Sequence, residues 1–160
     1  MLRNGLFKFM DDIIQYMIPL GYGGMGIAAF IAGSVFPFSS ETLLAGLLLA
    51  GLRPWPLFVS ATIGNVMGSM FNYWIGSLGK IEWIEKYLHV KREKVEKTQR
   101  WLQGRGAWMG FFCFLPVLGS ALSVTLGYMR ANLSLTFLSI ALGKAIRYGI
   151  LIMILNMVKG

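Results

Sequence analysis

Pro116-Val117-Leu118-Gly119-Ser120 interrupts a stretch, Gly106–Met129, that carries no charged side chain. Two apolar arms of roughly ten residues flank it, whereas crossing a bilayer core takes ~20 helical residues. A second breaker run, Phe36-Pro37-Phe38-Ser39-Ser40-Glu41, precedes an apolar stretch, Thr42–Leu52, that is too short in the same way. Short apolar arms around a Pro/Gly/Ser tip are what a re-entrant hairpin needs. Non-helical backbone at that depth survives only inside protein or beside a wet cavity. From its own residues alone, Gly106–Met129 also reads as one transmembrane helix kinked at its proline.

The composition around these runs sets the class. Of 160 residues, 56% are hydrophobic and 14% charged, and the mean hydropathy is +0.61. Soluble domains are about a quarter charged. Twelve of the 22 charges lie between Lys80 and Arg105, eight basic and four acidic. A soluble globule, a disordered chain and a disulfide-rich domain are excluded, and the chain reads as one all-α integral membrane domain. The net charge of +8 flanks apolar segments. Lys and Arg so placed set topology and touch anionic headgroups, so nucleic acid is not an expected partner. With Arg130, the connector holds nine basic against four acidic residues. Arg3, Lys8, Arg53 and Lys159 oppose Asp11 and Asp12 on the other face, which puts the connector in the cytoplasm.

The remaining segments follow from spacing. Leu2, Leu6, Phe9, Ile13 and Met17 recur every three or four residues, giving an interfacial amphipathic helix over 1–18, while Asp11, Asp12 and Gln15 interrupt any signal-peptide core. A first hairpin is expected over 22–52, a transmembrane helix over 54–79, a charged connector helix over 80–105, a second hairpin over 106–129 and a transmembrane helix over 131–158. Shifting the first half by 79 positions pairs Pro37 with Pro116, Phe58 with Phe137, Ser60 with Ser139 and Gly64 with Gly143. Each half then reads as hairpin followed by crossing. One crossing separates the halves, so the repeat is inverted, as in many secondary transporters.

Three charges fall at membrane depth. Glu41 follows the first breaker; a carboxylate there is costly unless paired, hydrated or protonated, which makes it a candidate proton-responsive group. Alternatively it lies at the interface and caps the helix that begins at Thr42. Lys144 and Arg147, three apart in the middle of the last apolar segment, project to one face and call for a carboxylate or an anionic ligand. Arg147 offers a planar fork suited to phosphate. An internal ion pair with Glu41 accounts for them without a ligand. Asn65 lies opposite Lys144 in the repeat and can line the same cavity. The stripe Ser60, Gly64, Gly68, Asn72, Gly76 reads first as close helix packing.

Other motifs fail. Gly21-Tyr22-Gly23-Gly24-Met25-Gly26 satisfies GxGxxG without a preceding strand. Asn132-Leu133-Ser134 reads as a helix start rather than a glycosylation site. His89 sits among lysines in a solvated helix, and Cys113 reads as a packing residue. No metal site, cofactor motif or hydrolase triad is supported, so no enzymatic activity is expected.

Phe36-Pro37-Phe38-Ser39-Ser40-Glu41, Ala50-Gly51 and Gly64-Asn65-Val66-Met67-Gly68 resemble the first half of DedA family (VTT-domain) membrane proteins. Phe112-Cys113-Phe114-Leu115-Pro116, Gly127 and Gly143-Lys144-Ala145-Ile146-Arg147-Tyr148 resemble the second half, in the short YqaA-like branch. The resemblance implies two inverted re-entrant hairpins, each packed with a transmembrane helix, in a multi-pass protein of a bacterial or archaeal plasma membrane. It implies a transporter, flippase or scramblase for an anionic lipid, a polyprenyl (undecaprenyl) phosphate or phospholipid, with proton or sodium dependence in some members. The family's hairpin carboxylate falls on Glu41. Its arginines beside the second proline fall on Cys113 and Gly119, and its acidic residue after the GxxxG glycine falls on Ser69. Lys144, Arg147 and Arg130 are then the cations left to hold a headgroup. A non-transporting scaffold that binds lipid or protein through the basic connector is the alternative.

Overall fold

The computed structural model describes residues 2–34, 39–115 and 118–160. Among them every regular element is helical: α1 (Leu2–Ser34), α2 (Ser40–Leu49), α3 (Pro54–Ser77), α4 (Ile81–Leu88), α5 (Arg92–Leu102), a 3-10 helix (Ala107–Phe114), α6 (Leu118–Tyr128) and α7 (Leu133–Lys159). Pro37 and Pro116, on which both expected hairpin tips rest, lie outside the described residues. So do the side chains of Leu2, Leu6, Phe9, Ile13 and Met17, the apolar face expected of 1–18.

Local chemistry sets the boundaries. Ser39 caps α2, its Oγ accepting from Thr42 N at 3.4 Å, and Glu41 in the first turn complements the helix dipole. Pro54 starts α3, where a missing N–H costs nothing. Asn132 Oδ1 accepts from Leu135 N at 3.0 Å and caps α7, the helix start read from Asn132-Leu133-Ser134. Inside α1 the helix breaks at Gly21, whose φ of 56° glycine adopts without steric cost. The GxGxxG run therefore begins at this break and continues as helix from Tyr22.

The connector departs from the single helix expected over 80–105. It is two helices, α4 and α5, separated at His89, which takes a left-handed φ of 51°. Leu88, Val90 and Val95 are all buried, against Ile75, Ala121 and Val124. One straight helix would turn part of that set to solvent, and burial of both sides of the break outweighs the strain at His89.

α3 is central and packs on α1, α2, α4, α6 and α7. Its glycines permit the approach: a side chain at Gly64 would collide with the Gly26 carbonyl, at Gly68 with the Phe30 carbonyl, and at Gly76 with the Val124 carbonyl. Small-residue contact of this kind drives helix association where lipid removes the hydrophobic incentive. Asn72 supports the same packing, donating through Nδ2 to Ser34 O at 2.6 Å and Gly33 O at 3.3 Å. It thereby satisfies carbonyls orphaned at the end of α1.

On α3 and α7 the polar side chains turn inward and large apolar ones line the outer face. Asn65, Ser69 and Asn72 on α3 are buried, whereas Ile63, Met67, Phe71 and Trp74 on the same helix are exposed. On α7, Lys144 is buried while Leu142, Ile146, Ile150, Met153 and Met157 are exposed. Continuous apolar stripes of this length suit hydrocarbon and not water. Among the described residues α7 alone is long and apolar enough to cross a membrane by composition. α3, at 24 residues, also exceeds the ~20 that a crossing takes, but its inward amides and hydroxyls lower its hydropathy.

Candidate functional site

Three helices and the last carbonyl of the 3-10 helix converge half way along α7. Lys144 and Arg147 lie 11 and 14 residues after its first residue, Leu133, about 17 and 21 Å along a helix some 40 Å long. The start of α2 meets that midpoint. Arg147 Nη2 forms an ion pair with Glu41 Oε1, and Arg147 Nη1 donates to Phe114 O at 2.8 Å. Ser39 Oγ donates to the other carboxylate oxygen, Glu41 Oε2, at 3.2 Å. The other end of α2 reaches the end of α7, where Lys159 Nζ donates to Leu48 O at 3.2 Å. α2 therefore runs along only the second half of α7.

One turn from the pair, Lys144 is 3% exposed. Its Nζ donates to Asn65 O at 2.9 Å and also to Asn65 Oδ1. Among the described residues no carboxylate touches it. Its partners among the described residues are neutral oxygens, although a buried cation ordinarily calls for an opposite charge. The Glu41–Arg147 pair is more open, its side chains 27% and 25% exposed. Two cations and one carboxylate leave the cluster one positive charge in excess.

Of the residues singled out from sequence, Glu41, Lys144, Arg147 and Asn65 come together. Arg130 does not. It follows α6 at φ 51° and is exposed, some 15 Å of helix from the end of α6 nearest Arg147. Two members escaped notice as site residues. Ser40 Oγ and Tyr148 OH, both buried, form a 2.7 Å hydrogen bond that joins α2 to α7 beside the ion pair. Both stand next to charged candidates, Ser40 before Glu41 and Tyr148 after Arg147, and that adjacency was the available signal. The Phe114 carbonyl had none, because it is free for Arg147 only where the 3-10 helix ends. Cys113 is buried and free. Gly119 has no space for a side chain, since any Cβ would strike the Cys113 carbonyl.

A VTT domain profile matches residues 36–157. Inner membrane protein YqaA of Escherichia coli (strain K12) is 30% identical over 122 residues, 76% of this chain and 81% of that one. An alkaline phosphatase-like protein of Lactococcus lactis subsp. cremoris is 31% identical over 149 residues, 85% of this chain and 70% of that one. Undecaprenyl phosphate transporter A of Bacillus subtilis is 28% identical over 131 residues, 77% of this chain and 64% of that one. No solved structure matches at a significant level.

Proposed function

This chain belongs to the VTT-domain (DedA) family, and on that premise we propose that it carries an anionic lipid across the membrane, a polyprenyl phosphate such as undecaprenyl phosphate ahead of a phospholipid. The observation that carries the reading is the mid-helix cluster, where Arg147 pairs with the single carboxylate Glu41 and Lys144, one turn away, has only the oxygens of Asn65. A phosphate bearing an apolar tail answers both needs of such a place. Its charge balances the excess cation, and its tail tolerates the surrounding hydrocarbon.

In this reading the phosphate displaces Glu41 from the Arg147 fork and draws on Lys144 from the adjacent turn. The displaced carboxylate then takes up a proton or a sodium ion, which couples ion and lipid movement. Arginine at the Cys113 and Gly119 positions is not needed, and position 119 has no room for one. α7 supplies the cations instead. Asn65 holds Lys144 in place between phosphate encounters.

The same geometry supports two re-entrant hairpins in an inverted repeat. α2 spans half of α7, as an arm that turns back at mid-depth does. The 3-10 helix packs on α7 and α6 as α1 packs on α3 and α2. Lys144 and Asn65, partners in a hydrogen bond, are 79 positions apart, the offset of the repeat. A pseudo-twofold axis brings equivalent positions of two halves together only where it passes between them.

Purified protein in liposomes, loaded with fluorescent polyprenyl phosphate in one leaflet, tests the function. Wild type is expected to move lipid to the other leaflet and release no inorganic phosphate, since the chain is read as a carrier and not a hydrolase. Glu41→Gln with Arg147→Ala should abolish the movement. Equal rates for wild type and double variant refute the site. If movement persists there but fails on charge reversal at Lys91, Arg92 and Lys94, the connector is the working surface.

A further inference from the structure

A separate feature lies on the connector side. Between α5, the 3-10 helix and α6 is an open groove of about 540 Å³, floored by Phe112, Leu115, Leu118 and Leu122 and flanked by Trp101. That volume falls in the range of ordinary small-molecule sites, roughly 300–1,000 Å³. Its rim is basic: Lys94 and Lys97 stand on α5 above the apolar floor. They share a helix face with Trp101, at spacings of three and four. Trp101 meets Phe112 edge-on at 6.4 Å between ring centres, and the Arg105 guanidinium stacks over Trp101 at 5.1 Å.

The groove combines what one molecule would need. Trp101 is 47% exposed and Leu118 48%, so its apolar walls stand open in the chain alone. Glu96 on α5 is held by Arg92 at 2.9 Å. Lys97 is exposed and makes no ion pair among the described residues. None of the groove's lining belongs to the Glu41–Arg147–Lys144 cluster. The groove's wall is nevertheless the helix whose Phe114 carbonyl holds Arg147.

We propose that this groove seats an anionic phospholipid of the surrounding bilayer, with one acyl chain along the Phe112–Leu122 floor and the phosphate between Lys94 and Lys97. Charge complementarity chooses the occupant. A zwitterionic lipid fits the floor but carries a cation that the rim repels, and a free phosphate leaves the apolar walls wet. The bound lipid braces the 3-10 helix from outside, so the site is structural or regulatory and does not depend on the chain being a carrier.

The full chain in phosphatidylcholine nanodiscs, doped with phosphatidylglycerol brominated on its acyl chains, provides the test. Bromine quenches only tryptophans it touches, and the Trp101→Phe variant isolates the Trp101 signal from the other four tryptophans. Brominated phosphatidylglycerol should quench Trp101 at a lower mole fraction than brominated phosphatidylcholine does. Lys97→Gln should weaken the apparent affinity about fivefold, the equivalent of about 1 kcal/mol for one basic side chain near an anionic headgroup. Leu118→Asp, which adds a carboxylate to the wall, should abolish the preference. Equal quenching by both lipids overturns the proposal, as does a phosphatidylglycerol preference that survives both substitutions. Lys97 is exposed, so its variant keeps the test decisive if Leu118→Asp does not fold.

Discussion

The Glu41–Arg147 pair admits a thermodynamic test independent of transport. Coulomb attraction at about 4 Å is worth about 4 kcal/mol at an effective dielectric of 20. A fully exposed pair nets ~0–1 kcal/mol, and removing one partner of a fully buried pair costs ~3–5 kcal/mol. With side chains 27% and 25% exposed, this pair lies between those limits. Glu41→Gln keeps an oxygen for Arg147 and loses only the charge, and the Phe114 carbonyl still occupies Nη1. It should cost roughly 1–2 kcal/mol. Arg147→Met strands a largely buried carboxylate with Ser39 as its remaining hydrogen-bond partner. It should cost more, roughly 2–4 kcal/mol. In the double variant the stranded charge is gone, so its cost should fall short of the sum by about 1–3 kcal/mol. Reversible unfolding in mixed micelles, followed by tryptophan fluorescence, measures all four corners of the cycle. A coupling below about 0.3 kcal/mol would show the two charges to be independent, and the reasoning from this pair would fail.

Two further outcomes follow from the packing. A side chain at Gly127 would collide with the Tyr73 carbonyl, whereas one at Gly149 would meet only Phe58 Cε2 at 3.8 Å. Gly127→Ala should therefore destabilise by about 1–3 kcal/mol and Gly149→Ala stabilise by about 0.5–1 kcal/mol, as the same unfolding assay reads. Tyr148→Phe removes the 2.7 Å bond to Ser40 and leaves that hydroxyl buried at 2% exposure. It should cost about 1–3 kcal/mol, and Ser40→Ala in the same chain should recover part of the loss.

What the sequence revealed and what it hid divide along physical lines. Burying a charge in hydrocarbon is so costly that Glu41, Lys144 and Arg147 stand out of an apolar background without any structure. Their meeting place was legible for the same reason, since each needs a partner and few exist. The Asn65–Lys144 contact was reachable only through the repeat offset. Contacts made by neutral groups carry no such mark. Ser40, Tyr148 and the Phe114 carbonyl have ordinary neighbours and gain meaning only from three-dimensional placement. The break at His89 was hidden too, because neither glycine nor proline marks it and the burial of Leu88 and Val90 decides it. Arg130 was named beside Lys144 and Arg147 only because the resemblance left few other cations, and such a comparison carries no distance along α6.

Asn65 and Lys144 also impose an order on how the chain enters the bilayer. α3 is synthesised early, and its Asn72 finds the α1 carbonyls of Gly33 and Ser34 already made. Asn65 has no such predecessor: the ammonium it receives belongs to the last helix, 79 residues later. Until then its amide must stay hydrated or wait within the insertion machinery. α7 can partition into lipid by its own apolarity, and it carries Lys144 to an acceptor formed beforehand. The inner polar face of α3 is thus completed only when α7 arrives: a chain that stops short of Lys144 leaves Asn65 without its donor, while Asn72 already ties α3 to α1.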